Sequence, residues 1–346
     1  MDSIISLNIN GVVYLKDQLR NKNLLQSIEG CDDAFVSFLL EWFSDGDVVV
    51  GHTSGSTGMP KEICLSKKAM IESAKRTNAF FQLKAGDSVL MCLSANYIAG
   101  KMMVVRALVG DLKLYVQKPS SLPLIDECRD FVSMVPMQVH ALMESKQGVE
   151  VMSHVRYLLV GGSPLQPDVA DWLKSLPVDT YISYGMTETV SHVALSSLKQ
   201  QQNNEPVYNA LPDVTFETDD RDCLVINANY LSSAPFVTND VVELLSDVSF
   251  VWKGRWDHVI NTGGVKVFPE KVERKIADLI VEPFYIIPET SDKFGQQVLL
   301  KIEGEKRSSD DLLKKLESRL SRYEMPKRID FVSEFERTSS GKIKRK

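Results

Sequence analysis

Residues 53–61 combine the residue types that can hold a phosphate group. The segment reads Thr-Ser-Gly-Ser-Thr-Gly-Met-Pro-Lys and lies between two apolar segments that are typical of strands. Glycines let backbone N–H groups approach an anion closely, hydroxyl groups add donors, and Lys61 adds a positive charge. The segment does not follow the Walker pattern, since no Gly-Lys-Ser/Thr stands at the required spacing and no helix is expected to begin at the lysine. It is predicted to be a phosphate-binding loop, although a flexible surface loop with a solvated lysine is the alternative.

Three further segments carry polar residues that suit a nucleotide site. They are Tyr184–Glu188 (Tyr-Gly-Met-Thr-Glu), residues 254–273, which begin Gly-Arg-Trp-Asp-His, and residues 337–345 (Arg-Thr-Ser-Ser-Gly-Lys-Ile-Lys-Arg). The first follows a predicted strand end, where ligands bind in open α/β sheets. With residues 53–61, the segments resemble, in family order, core motifs of the adenylate-forming superfamily. That superfamily includes acyl- and aryl-CoA synthetases, firefly luciferases and the adenylation domains of peptide synthetases.

The resemblance implies a site for ATP and Mg²⁺. Lys61 and the loop before it would hold the β- and γ-phosphates through Thr53, Ser54, Gly55, Ser56, Thr57 and Gly58. Tyr184, followed by Gly185, would stack on adenine, Thr187 would contact the α-phosphate, and Glu188 would hold Mg²⁺, a cation that often takes one carboxylate plus phosphate oxygens. The alternative is that Thr187 and Glu188 simply begin a helix.

Three other positions resemble nucleotide-contacting residues. Gly162 and Ser163 resemble a second adenine-contacting loop, a role compatible with Ser163 capping the helix that follows. Asp240 and Arg255 resemble the residues that contact the ribose hydroxyls, and a carboxylate suits two hydroxyl donors. Asn239 replaces the family glycine, and because Asn tolerates positive φ the expected turn can survive.

The same resemblance implies a mobile C-terminal domain that contributes one set of residues to adenylate formation and another to thioester formation. Asp257 resembles the hinge residue, and Gly263, Gly264 and Lys266 lie in a loop that resembles the thioester-forming segment, where glycines permit close passage of a pantetheine arm. A plain β-turn is the alternative there. Lys342 resembles the catalytic lysine that neutralises charge on the α-phosphate and the acid, whereas an isolated C-terminal lysine would be presumed disordered.

Residues 94–106 bear on the acid substrate. They resemble the corresponding segment of o-succinylbenzoate–CoA ligases, with an aromatic residue or His, then Gly, then Arg six residues later; here these are Tyr97, Gly100 and Arg106, with Lys101 beside Gly100. That substrate has a second, non-reacting carboxylate, and Arg is suited to binding it bidentately. The alternative is that Lys101 and Arg106 merely decorate a helix and have no part in binding the acid.

The pattern of apolar segments predicts how these residues are positioned. Strands and helices alternate from Asp47 to about Ser183, which favours parallel sheets covered on both faces. The predicted elements are strands at 89–93, 112–117, 131–135, 157–160 and 181–183, a helix at 98–109, and a helix after Ser163 with Pro164 in its first turn. A β-rich segment follows, with strand, turn and strand over 216–226, and then strands at 284–287, 298–302 and 329–332 with a helix at 310–321. The prediction is an α/β large domain with a β-rich subdomain (1–254) and a small α+β C-terminal domain (255–346), with the active site at their junction.

Bulk properties exclude several classes of protein. A net charge of −6 argues against a general nucleic-acid binder, and no stretch of about 18 apolar residues predicts a membrane span. The cysteines are odd in number and scattered, which favours free thiols in the cytoplasm. The histidines show no metal-ligand spacing and are assigned to packing or surface roles: His52, His140, His154, His192 and His258. A homo-oligomer is compatible with the sequence.

The function expected from the resemblance is an ATP-dependent acid–CoA ligase, with CoA as co-substrate and o-succinylbenzoate as the first choice of acid. One alternative is a ligase for another acyl or aryl acid, including one that transfers to a carrier-protein thiol. Another is a non-catalytic adenylate-binding module. Only about fifty residues precede the phosphate loop, so the chain is expected to be an abbreviated member whose missing portion is dispensed with or replaced by a partner.

Overall fold

A computed structural model of the chain describes residues 5–53, 61–201, 205–306, 308–337 and 343–345, with Thr53 described by its backbone alone. The internal contacts separate the chain into two units. The first unit comprises residues 1–165, 169–215 and 227–235, and the second comprises 166–168, 216–226 and 236–346. The domain boundary expected at 254/255 stays a prediction.

The first unit is built on one mixed sheet and a separate hairpin. Its described strands are Ser6–Ile9 (β1), Val12–Leu15 (β2), Val48–Thr53 (β3), Lys61–Ser66 (β4), Ser88–Met91 (β5), Lys113–Val116 (β6), Arg129–Met134 (β7), Val155–Val160 (β8), Asp179–Gly185 (β9), His192–Ser197 (β10) and Val207–Ala210 (β11). The sheet has the order β11-β10-β9-β8-β7-β5-β6-β1-β2, and β3 pairs with β4 in the hairpin. The pairs from β1 through β6, β5, β7 and β8 to β9 are parallel, and the pairs at both ends are antiparallel.

Helices cover both faces of this sheet. The described helices are Lys16–Leu19 (α1), Lys22–Gln26 (α2), Asp33–Trp42 (α3), Lys67–Phe80 (α4), Ile98–Gly110 (α5), Pro136–Glu144 (α6), Gly148–Ser153 (α7) and Pro167–Lys174 (α8). Val132 and Leu158 share a core with residues of α6, α7 and α8. Their strand neighbours Phe131 and Tyr157 point to the other face, where both rings contact Phe81 at the end of α4. This alternation of apolar side chains explains why the strands read as continuous apolar runs.

The second unit contains two sheets. Its strands are Thr215–Thr218 (β12), Cys223–Asn227 (β13), Phe236–Ser246 (β14), Ser249–Arg255 (β15), Ile260–Thr262 (β16), Val265–Val267 (β17), Phe284–Ser291 (β18), Gly295–Glu303 (β19) and Arg328–Val332 (β20). Strands β12 to β15 are neighbours in chain order, and the other sheet has the order β17-β16-β19-β18 with β20 on β19. Helices Pro269–Ile276 (α9) and Asp310–Glu317 (α10) supply Val272, Ile276 and Leu316 to the core of that sheet.

The predicted fold class is confirmed, and the structure corrects two local predictions. The helix after Ser163 begins at Pro167, so neither Ser163 nor Pro164 belongs to its first turn, and Pro167 takes the first helical position that suits proline. Asn239 lies inside strand β14 and is not among the residues with positive φ, so the turn expected there is absent. Among the described helices, none combines the length and the apolarity that a membrane span requires.

Gly100 has a steric reason for its place in α5. A Cβ atom built on it would lie 2.3 Å from the carbonyl oxygen of Ser94 and 2.9 Å from the backbone nitrogen of Ala95. The helix therefore passes the loop before it at backbone contact, which only glycine permits.

We predict that Gly100→Ala lowers the free energy of unfolding by about 1–3 kcal/mol, since backbone atoms must move to admit the methyl group. Urea denaturation of the purified protein measures this loss. Gly46→Ala is the matched control, because the nearest atom to a Cβ there is the Ser44 Oγ at 3.9 Å. Equal effects of the two substitutions would contradict the prediction.

Candidate functional site

The β3–β4 hairpin carries the expected phosphate loop at its tip. The strands pair in register from Val48 opposite Ser66 to Thr53 opposite Lys61, so the two ends of the loop lie side by side. Lys61 is the first residue of β4 and is exposed. The strand–loop–strand arrangement is as predicted, but the loop residues Ser54, Gly55, Ser56, Thr57 and Gly58 lie outside the described residues.

The base of this hairpin contacts the second motif. A Cβ atom on Gly51, two residues before Thr53, would lie 3.2 Å from Cγ2 of Thr187 and 2.8 Å from Cδ1 of Leu65. The absence of a side chain at Gly51 therefore lets the Thr187 turn pack on the strand that leads into the loop. The strand that enters the motif at 53–61 therefore contacts the motif at 184–188 in the first unit.

Residues 184–191 form a turn fixed by its own hydrogen bonds. Tyr184 and Gly185 end strand β9, and a Cβ on Gly185 would lie 2.4 Å from the Ser191 carbonyl oxygen. The Thr189 Oγ1 accepts from the Met186 N–H at 3.0 Å and donates to backbone oxygens, which closes the turn. No helix begins at Thr187, so the helix-start alternative is wrong.

Glu188 lies at the exposed tip of this turn and makes no hydrogen bond or ion pair to any residue that the structure describes. Within the same residues, no group of three or more His, Cys, Asp and Glu side chains could form a metal site of its own. A single exposed carboxylate fits Mg²⁺, which keeps several waters and takes its other ligands from phosphates.

The loop at 161–163 lies beside the same turn. It follows β8, which runs parallel to β9, so both segments leave the sheet at the carboxyl ends of neighbouring strands. Gly162 has φ +95°, a conformation that favours glycine, and both Gly162 and Ser163 are exposed. The ring of Tyr184 contacts that of Tyr208 at a centroid distance of 5.6 Å.

In the second unit, Asp240 and Arg255 face each other across the β14–β15 pair. The Trp252 indole N–H donates to Asp240 Oδ1 at 3.0 Å, and Arg255 Nη1 lies 3.9 Å from the same oxygen. Arg255 also donates twice to Asp257, at 2.9 and 3.1 Å. Burial opposes ionisation of Asp257, but the Arg255 hydrogen bonds and charge hold the pKa of its carboxyl below the ordinary value. The expected ribose and hinge residues thus form one ion-paired cluster.

The expected thioester loop is a tight hairpin turn between β16 and β17. Gly263 and Gly264 have φ +57° and +84°, the combination that a two-residue turn of type I′ requires. A Cβ on Gly264 would meet open space, and Lys266 is exposed with its Nζ 4.7 Å from the Trp256 ring centroid. The β-turn is therefore present, and the thioester role stays a prediction. Lys342 lies outside the described residues.

Helix α5 carries the predicted acid-binding residues, and its two cations are buried. Lys101 is 6% and Arg106 2% exposed, whereas Tyr97 at the start of the helix is 40% exposed. The Lys101 ammonium lies 3.6 Å from Glu41 Oε2, and Glu41 Oε1 accepts the Val50 N–H of strand β3 at 2.7 Å. Burial lowers the pKa of Lys101, an effect that the Glu41 carboxylate opposes.

Arg106 differs from Lys101 because it makes no ion pair with any described acidic residue. Its Nη2 donates to Ser191 Oγ at 2.8 Å, its Nη1 lies 3.5 Å from Met103 Sδ, and its buried Nε has no hydrogen-bond partner. Complete burial lowers the pKa of the guanidinium to about 9. Ser191 belongs to the turn that carries Thr187 and Glu188, so this buried cation, which has no counter-ion among the described residues, lies beside the expected nucleotide motif.

Sequence analysis missed the partners of these two cations. Glu41, Ser191 and His192 were not among the predicted site residues, and His192 was assigned to packing or the surface. His192 is buried and hydrogen-bonded to both Ser191 and Thr77. The partners are far apart in the chain, so no local motif points to them.

Comparisons with known proteins agree with the motifs. The sequence profile of the family described as AMP-binding enzyme matches residues 11–223, more than half of the 346 residues. The chain is 26% identical over 332 residues to the 2-succinylbenzoate–CoA ligase of Listeria monocytogenes, covering 89% of this chain and 71% of that protein. It is 24% identical over 300 residues to the enzyme of that name from Haemophilus influenzae, covering 79% of this chain and 64% of that protein. The chain thus spans about two thirds of the length of these curated relatives.

Solved structures show the same fold. An acyl-CoA synthetase (AMP-forming)/AMP-acid ligase II-like protein from Dyadobacter fermentans is 36% identical, with a TM-score of 0.62, and the match covers 93% of this chain and 96% of that one. The o-succinylbenzoate coenzyme A synthetase of Bacillus subtilis, in complex with ATP and magnesium ion, is 18% identical with a TM-score of 0.73, covering 86% of this chain and 68% of that one.

We predict that Arg106→Met raises the free energy of unfolding of the ligand-free protein by about 1 kcal/mol or more, since a desolvated charge without a counter-ion is replaced by an apolar chain of similar length. Urea denaturation provides the measurement.

Arg129→Met is the matched control. Arg129 is also buried, but it pairs with Glu127 at 3.2 Å and stacks on Tyr115 at 3.9 Å. Its substitution is expected to destabilise the protein, and a loss of stability in Arg106→Met of similar size would contradict the distinction.

Proposed function

The chain belongs to the family of AMP-binding enzymes, and from that premise we propose that it is an ATP-dependent acid–CoA ligase acting on 2-succinylbenzoate in the cytoplasm. In the first half-reaction a carboxylate oxygen of the acid attacks the α-phosphorus of ATP, and the bond to pyrophosphate breaks. In the second, the sulfur of CoA attacks the acyl carbon, AMP leaves and the thiol proton is lost. The observation that carries the choice of acid is the buried guanidinium of Arg106, which forms no ion pair with a described residue and lies beside the turn of the expected nucleotide motif.

The proposal assigns the nucleotide to the residues that meet at the hairpin. Lys61 and the loop it closes hold the β- and γ-phosphates, Thr187 contacts the α-phosphate, and Tyr184 and Gly162 border the adenine. Asp240 and Arg255 hold the ribose hydroxyls. This chemistry is mostly positioning and neutralisation of charge, so cationic and donor groups around the phosphates are the main requirement. The Mg²⁺ that Glu188 would hold neutralises part of the charge on the departing pyrophosphate.

The two cations of helix α5 have different roles in this proposal. Lys101 already has Glu41 as a partner, so we assign it to positioning α5 and β3 rather than to the substrate. Arg106 has no acidic partner within the described ranges, and an arginine can bind a carboxylate through two parallel hydrogen bonds. The carboxylate of 2-succinylbenzoate that does not react would provide the missing counter-charge. Tyr97 and Gly100 lie at the start of the same helix, and we assign them to the acid site on the resemblance alone.

The direct experiment is to incubate the purified protein with ATP, Mg²⁺, CoA and 2-succinylbenzoate and to measure the CoA ester by mass spectrometry. We expect the ester together with equimolar AMP and pyrophosphate. If no ester forms while another aryl or acyl acid reacts, the chain is a ligase of other specificity. If ATP–pyrophosphate exchange is also absent with every acid tried, the ligase function itself is wrong.

We further predict that two substitutions each impair a different half-reaction. Lys342→Ala should depress formation of the acyl-adenylate severely, because a charge that neutralises the α-phosphate is lost, yet spare ester formation from supplied acyl-AMP. Gly264→Val should do the reverse, because a branched side chain resists φ +84° and blocks the turn. Single-turnover assays of each step provide the measurement.

Lys344→Ala is the matched control for Lys342→Ala, since Lys344 is an ordinary half-exposed lysine 4.0 Å from Glu336. Its substitution is expected to leave both steps unchanged. If Lys342→Ala or Gly264→Val impaired both half-reactions equally, the division of roles would be wrong.

A further inference from the structure

Arg106 is the first member of a chain of hydrogen bonds that runs through the interior of the first unit. Its Nη2 donates to Ser191 Oγ at 2.8 Å, and Ser191 Oγ lies 3.2 Å from Nδ1 of His192. On the other side of the imidazole, Nε2 lies 3.2 Å from Thr77 Oγ1, and this hydroxyl donates to the Ser73 carbonyl oxygen at 3.1 Å. Arg106, His192 and Thr77 are each at least nine-tenths buried.

The position of every proton in this chain follows from its two ends. The Thr77 hydroxyl gives its single proton to the Ser73 carbonyl, so its oxygen must accept from the His192 Nε2–H. Burial, and next the positive charge of Arg106, keep the pKa of His192 well below its ordinary range, so the ring is neutral. Nδ1 is then an acceptor and takes the proton of the Ser191 hydroxyl. The lone pairs of Ser191 Oγ are thereby directed at Arg106, which can only donate.

The backbone around Ser191 is strained in a way that favours this arrangement. Val190 is buried, β-branched and has φ +64°, a left-handed conformation that is an outlier for such a residue. The pairing of β9 with β10 also shifts register between His192 and Ala194. Strained residues persist where the surroundings over-determine them, and strand irregularities of this kind re-aim side chains.

We propose that Ser191 and His192 are positioning residues for recognition of the acid: they hold the Arg106 guanidinium in the orientation that receives the non-reacting carboxylate of a dicarboxylic substrate. The inference rests on the proposed function and deepens it. The hydrogen-bond chain ends on a main-chain carbonyl of helix α4, so its side chains are held in one orientation whichever ligand binds. Its effect on Arg106 is orientation, because no member of the chain other than Arg106 needs to contact the acid.

The test compares 2-succinylbenzoate with the matched monoacid in which the non-reacting carboxyl is replaced by hydrogen. Ser191→Ala removes the acceptor of Arg106 and should raise KM for the diacid by about tenfold or more, as expected for one hydrogen bond to a charged group. KM for ATP, and both constants for the monoacid, should stay within about twofold of the wild type, because the phosphate groups are untouched. Ser196→Ala is the control, since Ser196 is a buried serine of strand β10, which begins at His192, and its hydroxyl accepts from the Gln201 amide at 3.3 Å.

Substitutions of His192 provide a second test, which does not depend on whether Ser191→Ala folds. His192→Leu should reproduce the selective rise in KM, whereas His192→Asn, whose amide oxygen can take the place of Nδ1, should restore most of the loss. Equal effects on diacid and monoacid, or a fall in kcat with KM unchanged, would overturn the proposal. So would a Leu variant that matches the wild type.

A measurement without turnover separates this inference from the proposed function. Nitrogen-15 NMR of histidine-labelled wild-type protein at pH 7 should show His192 neutral, with Nε2 protonated and Nδ1 bare. Protonated Nδ1 would overturn the positioning chain even if the diacid is a good substrate. Conversely, the expected tautomer together with a wild type that converts the monoacid and rejects the diacid would remove the proposed acid.

Discussion

The rest of the structure's function depends on one constraint: the enclosed Arg106 guanidinium has no counter-ion in the part of the chain that the structure describes. Removing a charge from water is expensive, and a partner or a ligand must offset the cost. Every residue of helix α5 from Gly100 to Leu108 is buried, so Arg106 cannot extend its charge to solvent as an arginine near a helix end would. Its surroundings offer one hydroxyl oxygen, one sulfur and the face of Phe131 at 5.8 Å, each a weak substitute for a carboxylate. Binding of an anionic ligand beside Arg106 would offset the free-energy cost of burying its charge.

Lys101, the other cation of the same helix, is neutralised within the protein itself. Lys101 is nearly as buried, but Glu41 neutralises it and uses its second oxygen to hold strand β3. That strand leads directly into the expected phosphate loop. One helix therefore has two roles in the proposed function: through Lys101 and Glu41 it supports strand β3, and through Arg106 it would present a charge to the acid. The contact of Gly51 with Thr187 brings these two regions together in the first unit.

Most of the element pattern could be predicted from the sequence, because apolar periodicity is local information. Strands β5 to β9 and helix α5 were predicted within a few residues of their ends, and the β-turn that was the alternative for Gly263 and Gly264 is present. The failures arose where tertiary contacts decided the outcome. Asn239 was expected in a turn because it stands where the resemblance places a glycine, but it lies inside strand β14 and accepts a hydrogen bond from Arg221. The α8 helix began three residues after its expected start because Pro167, and not Pro164, occupies the first turn.

The candidate site divides in the same way. Motif residues such as Thr187, Glu188 and Arg106 are visible in the sequence because their types and spacing are distinctive. Ser191 and His192 are not visible in this way, because their hydrogen-bond partners Arg106 and Thr77 are 85 and 115 residues away along the chain. Lys and Arg are rarely buried, but apart from Lys101 and Arg106 helix α5 has no charged residue on any side, and the structure encloses both.

A crystal structure of the protein with a non-hydrolysable adenylate analogue of 2-succinylbenzoate would test the central claim most directly. The account predicts that the free carboxylate of the ligand lies about 2.7–3.2 Å from the nitrogens of Arg106, with Ser191 still accepting from the same guanidinium. A carboxylate that faces solvent or binds elsewhere, while Arg106 remains enclosed and unpaired, would contradict it.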